Sequence, residues 1–235
     1  ECVYTKSKVD NEIKEQVEIV VGNSAMPEDK WREAFTVVYY TLALHDDRIA
    51  FFILNYLKKR FGIKIIEFII FLKNISKIEN LPIIRNSICL LENRAKEVQE
   101  KSKDHLIRPK NYDGIPYDPP EGIFLELLLD KNKFYSELLY ATKIYLKNQD
   151  KNFNENEIED LFKFQNAIIA DLNNPGSEYL DIKYNWIDYF AFAFNLNGKD
   201  LKSMDSKLKI VDPKPSYGST KKFLENHFDI RGVPS

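Results

Sequence analysis

Pro27-Glu28-Asp29-Lys30-Trp31-Arg32-Glu33-Ala34-Phe35-Thr36-Val37-Val38-Tyr39-Tyr40-Thr41-Leu42 is the stretch that decides the fold. Proline is tolerated in a first helical turn, where its missing N–H would have no partner anyway. The two carboxylates after it complement the positive end of the helix dipole. Trp31, Phe35, Val38 and Leu42 then recur at spacings of three and four, which predicts a helix with a core-facing stripe. The largely apolar run that follows, from Ala34 to Leu44, is the longest in the chain and falls short of the ~18 residues that span a bilayer.

The segment before this helix, Val17-Glu18-Ile19-Val20-Val21-Gly22, is β-branched and stopped by glycine, so a short buried strand is expected. After it, His45-Asp46-Asp47-Arg48 is a polar interruption, with helix resuming over 49–60 and ending at Gly62. Residues 63–73 are apolar on nearly every side, the signature of a helix buried among others. Another helix is predicted over 81–103. Pro109, Gly114, Pro116, Pro119 and Pro120 then mark a loop over 105–120. Beyond the loop, helices are expected over 121–129, 133–147 and 155–172. Asn154 and Glu157 form a capping-box-like start for the last of these, and Asn173-Asn174-Pro175-Gly176 stops it. Alternation over 179–184 predicts a short strand, with a second over 207–211 pairing with it. The aromatic segment 186–194 reads as helix, and 219–228 as a last short helix.

The fold class is therefore mostly α-helical, a helical bundle-like domain with one or two short β-strand pairs. The expected organisation is strand and linker over 1–26, a helical subdomain over 27–104, the Pro-rich loop over 105–120, and a second helical subdomain with short strands over 121–235. Only 8 glycines in 235 residues argue against a turn-dense barrel or sandwich and against a Gly-rich phosphate cradle. A formal charge of −2 offers no general attraction to nucleic acid or to an anionic membrane. Cys2 and Cys89 sit in no C-x-x-C pair, so they read as reduced thiols, and a cytoplasmic location is expected.

No constellation of side chains names a reaction. Neighbours on a helix point about 100° apart, so His45, Asp46 and Asp47 converge on a metal only with help from elsewhere. His105, which follows Asp104, is the residue that could supply it; His227 stands near the C-terminus. Cys89, among Ile88, Leu90 and Leu91, reads as a packing residue. The set Tyr184, Trp186, Tyr189, Phe190, Phe192 and Phe194 reads as core with polar tips at its edge. Lys58-Lys59-Arg60 and Lys221-Lys222 read as solvated helix faces. No G-x-S-x-G, H-E-x-x-H, Walker or G-x-G-x-x-G sequence is present. Catalytic, cofactor-binding and metal-ligating residues are accordingly assigned to no position.

One resemblance adds to this. Ile19-Val20-Val21-Gly22-Asn23-Ser24-Ala25-Met26 followed by Trp31, then Gly62-Ile63 with Glu67-Phe68, resembles the C-terminal region of B12-binding (cobalamin-dependent) radical SAM proteins. Tyr117-Asp118-Pro119-Pro120-Glu121, Asp130-Lys131-Asn132-Lys133-Phe134-Tyr135, Phe164-Gln165 and Tyr184-Asn185-Trp186 with Tyr189-Phe190 follow in a similar order. The tail Asp229-Ile230-Arg231-Gly232-Val233-Pro234-Ser235 departs from the pattern. The resemblance implies a longer parent polypeptide in which residues 1–26 continue a barrel-like domain. That parent would be a methyltransferase or related enzyme using a [4Fe–4S] cluster, S-adenosylmethionine and cobalamin, all held upstream. This chain lacks the three-thiolate loop that such a cluster needs. Its implied role is a helical cap shaping the substrate cavity, with the upstream barrel and cobalamin-binding domain as its partners. Two alternatives remain open at this point: a free-standing helical protein-interaction module, or a metal-dependent small-molecule enzyme built on His45, Asp46, Asp47 and His105.

Overall fold

The computed structural model describes residues 2–6, 16–101, 104–109, 112, 115–169, 178–194 and 196–211. A hairpin of β1 (Cys2–Lys6) and β2 (Gln16–Val20) opens the chain, antiparallel, with Cys2 opposite Val20. The expected strand is thus present, but none of its described side chains, Glu18, Ile19 and Val20, is buried. Val20 is 54% exposed, and burial begins only at Val21 and Gly22 beyond the strand, because a two-stranded ribbon leaves one face in water.

Helix α1 (Glu28–His45) follows, with Glu28 and Asp29 in its first turn as the sequence predicts. Gln99, from α4 (Pro82–Lys101), ties the passage between β2 and α1 in place: its Nε2 donates to the carbonyls of Val21 and Glu28, each at 3.0 Å. Helix α2 (Phe51–Phe61) ends at Gly62, whose φ of 70° is the left-handed conformation that glycine adopts without cost. Helix α3 (Ile65–Ile75) buries Phe68, Ile69 and Leu72, whereas Ile66 and Ile70 stay about two-fifths exposed. Burial on every side is therefore not realised there. Its neighbours α1, α2, α4 and α6 (Lys131–Asn148) leave one flank uncovered.

Beyond α4 the chain pinches itself shut. Ile107 and Tyr117 exchange both backbone hydrogen bonds, at 2.9 and 2.8 Å. This hands the chain to α5 (Pro119–Leu128), which lies against α1 and α4. Buried side chains from both sides of the 105–120 loop belong to one continuous apolar cluster, from Phe35 and Leu44 to Leu138, Leu161 and Trp186. Helix α7 (Glu155–Ile168) starts at Asn154, whose side chain accepts from the amide of Asn156 as an N-cap does.

Strand β3 (Glu178–Tyr184) pairs antiparallel with β4 (Ser203–Ile210), the pairing expected from alternation. Between them, the aromatic segment forms α8 (Trp186–Phe190) and one 3₁₀ turn, Ala191–Phe194. Eight helices and two small strand pairs among the described residues make the protein mostly α-helical, as its periodicity predicts. No described helix is long and apolar enough to cross a membrane. The helix expected over 219–228 lies outside the described residues.

Buried polar groups hold the helices in register. Gln165, fully buried on α7, accepts from the Phe52 amide at 2.8 Å and donates to the Arg48 carbonyl at 3.1 Å. Tyr135 donates to the Ile49 carbonyl. Together they organise the polar interruption between α1 and α2, where Arg48 takes a φ of 68°. Lys131, at the start of α6, donates to the carbonyls of Asn166 and Ile169 where α7 ends, a cation placed at the negative end of a helix.

Candidate functional site

Helix α1 is apolar on more than one side, and only one side faces the core. Phe35, Thr36, Val37, Tyr40, Ala43 and Leu44 are buried. The stripe predicted to be core does not all reach it. Phe35 is buried, Trp31 and Leu42 are half-buried, and Val38 is 50% exposed. The reason is geometric: residues at i, i+4 and i+7 share a face, and this face looks partly past the neighbouring helices.

That face forms the wall of a cleft of about 450 Å³. Trp31, Phe35 and Tyr39 run along α1 as a ladder of tilted and edge-on rings, with centroids 5.2 and 4.5 Å apart. Ala34 and Val38 continue the wall, Ile19 of β2 and Met26 close one side, and Val98 of α4 lies at the base. Among the described residues that line it, only Tyr39, His105 and the indole of Trp31 carry side-chain N or O atoms; Tyr39 and His105 mark the end nearest Asp118.

At that end, His105 Nε2 lies 3.3 Å from Asp118 Oδ1, just ahead of α5. Tyr39 is half-buried, and burial together with the Asp118 charge pushes its phenol pKa up. Its hydroxyl makes no hydrogen bond with a described residue. Behind Asp118, Glu121 is 5% exposed; burial first, then the Asp118 charge, raises its carboxyl pKa. Asp47 adjoins this acidic group. Burial, the charge of Glu121 and that of Asp46 push its pKa up to about 7. Its Oδ2 is buried without a hydrogen-bond partner among the described residues.

The histidines singled out in the sequence do not share a ligand set. His45 Nδ1 pairs with Asp46 Oδ1 at 2.6 Å and the ring lies against Phe51, whereas His105 pairs with Asp118. Among the described residues no three His, Cys, Asp or Glu side chains are grouped to hold a metal ion. His227 and Lys221-Lys222 lie outside the described residues. Cys2 is exposed on β1, where a hydrogen bond to Glu18 raises its thiol pKa, and Cys89 is half-buried on α4. Two thiols on separate elements do not fit a cluster that takes three.

The aromatic set near the C-terminal strands is mostly packed, although Phe194, read as core from the sequence, is 49% exposed. Trp186, Tyr189 and Phe190 are buried. The Trp186 Nε1 donates to Asp160 at 2.8 Å, and Asp160 also accepts from the Lys183 amide. Lys59 sits over the rings of Tyr189 and Phe192, at 4.4 and 3.9 Å, a cation–π clamp on the same set.

Sequence reasoning missed Tyr39 and Asp118 as companions of His105. The available signal was the aromatic spacing Trp31, Phe35, Tyr39, three rings at intervals of four that a single core stripe does not require. No protein-family model matches the chain, and no curated protein matches it significantly.

Proposed function

We propose that this chain is the helical C-terminal cap of a cobalamin-dependent radical SAM enzyme and is not catalytic alone. What supports the reading, beyond the order of segments that carries the resemblance, is the position of the cleft. Its edge is built from Ile19 and Met26, which flank the passage from the hairpin into α1, and Cys2 lies opposite Val20 at the base of that hairpin. A domain attached ahead of Cys2 would emerge beside an apolar wall that still has Val38 and Met26 in solvent. Exposed apolar surface of this kind marks a docking or ligand face. A cap seated there would help keep water from a reactive radical, a recognised service of lids.

The cluster, S-adenosylmethionine and cobalamin would be held by the preceding domains, since the thiols of this chain do not suit the cluster. The test joins genetics to spectroscopy. The reading frame ahead of Glu1 is determined, and the longer polypeptide and the 235-residue chain are each reconstituted anaerobically with iron and sulfide. The longer protein should show the visible absorbance of an iron–sulfur cluster and the chain alone should not. A start codon directly ahead of Glu1, or a well-formed cluster on the chain alone, would overturn the reading. The first of those results would favour a free-standing interaction module.

A further inference from the structure

We infer that the cleft beside α1 is a binding site for a small molecule with an apolar body and one polar, non-anionic group at its end. As the cap's share of a substrate cavity, this assignment rests on the function proposed above; as a binding site it stands on its own geometry.

Three features define the ligand. The volume of about 450 Å³ lies within the range of small-molecule pockets, roughly 300–1,000 Å³. The wall is hydrocarbon and aromatic, with the Trp31–Phe35–Tyr39 ladder supplying flat faces. Among the described lining residues the polar groups are Tyr39 and His105, both near Asp118, and the Trp31 indole, and the Tyr39 hydroxyl has no hydrogen-bond partner among the described residues. A phenol held in its neutral form by burial and a nearby carboxylate can donate to, or accept from, a polar end group.

Charge narrows the class further. Asp118 and Glu121 stand behind the polar end, and His105 is already engaged with Asp118. A carboxylate terminus would meet like charge. An alcohol, ketone, ether or ammonium does not, and the Tyr39 hydroxyl can donate to the oxygen or accept from the ammonium.

The chain carries its own reporter. Of its two tryptophans, Trp31 lines the cleft and Trp186 is fully buried in the core. Binding of 1-decanol, decanoate and decylamine to the 235-residue chain is followed by tryptophan emission, with Trp31→Phe as the blank. Decanol should change the emission of Trp31 and bind at least fivefold more tightly than decanoate, and decylamine should also outbind decanoate. Val38→Glu, a change at a half-exposed position, should weaken decanol at least tenfold with an unaltered circular dichroism spectrum. Tyr39→Phe should weaken it up to about tenfold, the worth of one hydrogen bond. No response of Trp31 to decanol, decanoate binding as tightly as decanol, or full binding by Val38→Glu would overturn the inference. The upstream reading frame decides the cap proposal separately. Decanol binding without an upstream barrel leaves the pocket standing alone, and a barrel without decanol binding removes the pocket but spares the cap.

Discussion

Glu137 of α6 holds the first turn of α4: its carboxylate accepts from the amide of Ile84 at 3.0 Å and from that of Ile83 at 3.1 Å. The first amides of a helix lack intrahelical acceptors, and a carboxylate there also meets the positive end of the dipole. A residue more than fifty positions away thus does the work of a local cap. Glu137 is 7% exposed, so water replaces it poorly.

Glu137→Ala is therefore expected to destabilise the protein by about 2–3 kcal/mol, the range for hydrogen bonds to a charged group left unmade in a buried site. Glu137→Gln, which keeps one acceptor, should cost less. Urea denaturation of the three proteins checks both the loss and its order.

Asp47 makes stability depend on pH. Its folded pKa of about 7 lies above the unfolded value near 4, so folding favours the protonated form. The favourable contribution is complete below about pH 4 and is lost as pH rises to about 7, on the order of 2 kcal/mol once solvent screening at this partly exposed site is allowed for. Asp47→Asn should be more stable than the parent at pH 8 and show a flatter stability profile between pH 4 and 7. Denaturation midpoints across that window test it; identical profiles would remove Asp47 from the account.

Gly122 sits inside α5, where alanine would ordinarily raise helix stability by about 1 kcal/mol. A Cβ there would lie 2.5 Å from Ile107 Cβ and 2.7 Å from its Cγ2. Gly122→Ala should thus destabilise by about 1–3 kcal/mol, opposite in sign to its propensity, because the Ile107–Tyr117 pinch must move away. A thermal melt decides the sign.

The two tryptophans should differ in access to a quencher. Trp31→Phe leaves Trp186, fully buried and bonded to Asp160, and its emission should resist acrylamide. Trp186→Phe leaves Trp31 at the cleft, which acrylamide should quench readily. That second variant should also lose about 1–3 kcal/mol, since Asp160 forfeits one of its donors.

Much of the helical architecture was legible because helices announce themselves locally. Pro27-Glu28-Asp29 at a start, Gly62 at an end and Asn154 as a cap each act within one turn of the residue that carries the signal. The β3–β4 pairing was legible for the same kind of reason, alternation over a short stretch. What escaped depends on contacts between distant segments. Nothing near Val38 says that its side of α1 opens on a cleft, and nothing near Pro82 says that Glu137 caps its helix. Burial of β2 was misjudged because β-branched residues look alike in a covered strand and in an uncovered ribbon. Tyr39, His105 and Asp118 meet only because the 105–120 loop folds back on itself at Ile107 and Tyr117, a closure that has no sequence motif.

The amide of Gln99 grips Val21 and Glu28, the two ends of the short passage between ribbon and helix, with a single nitrogen. That passage therefore acts as a bracket rather than a hinge. Anything carried on the ribbon would keep a fixed heading relative to the helices and tumble with them as one hydrodynamic particle. Gln99→Ala should convert that bracket into a swivel.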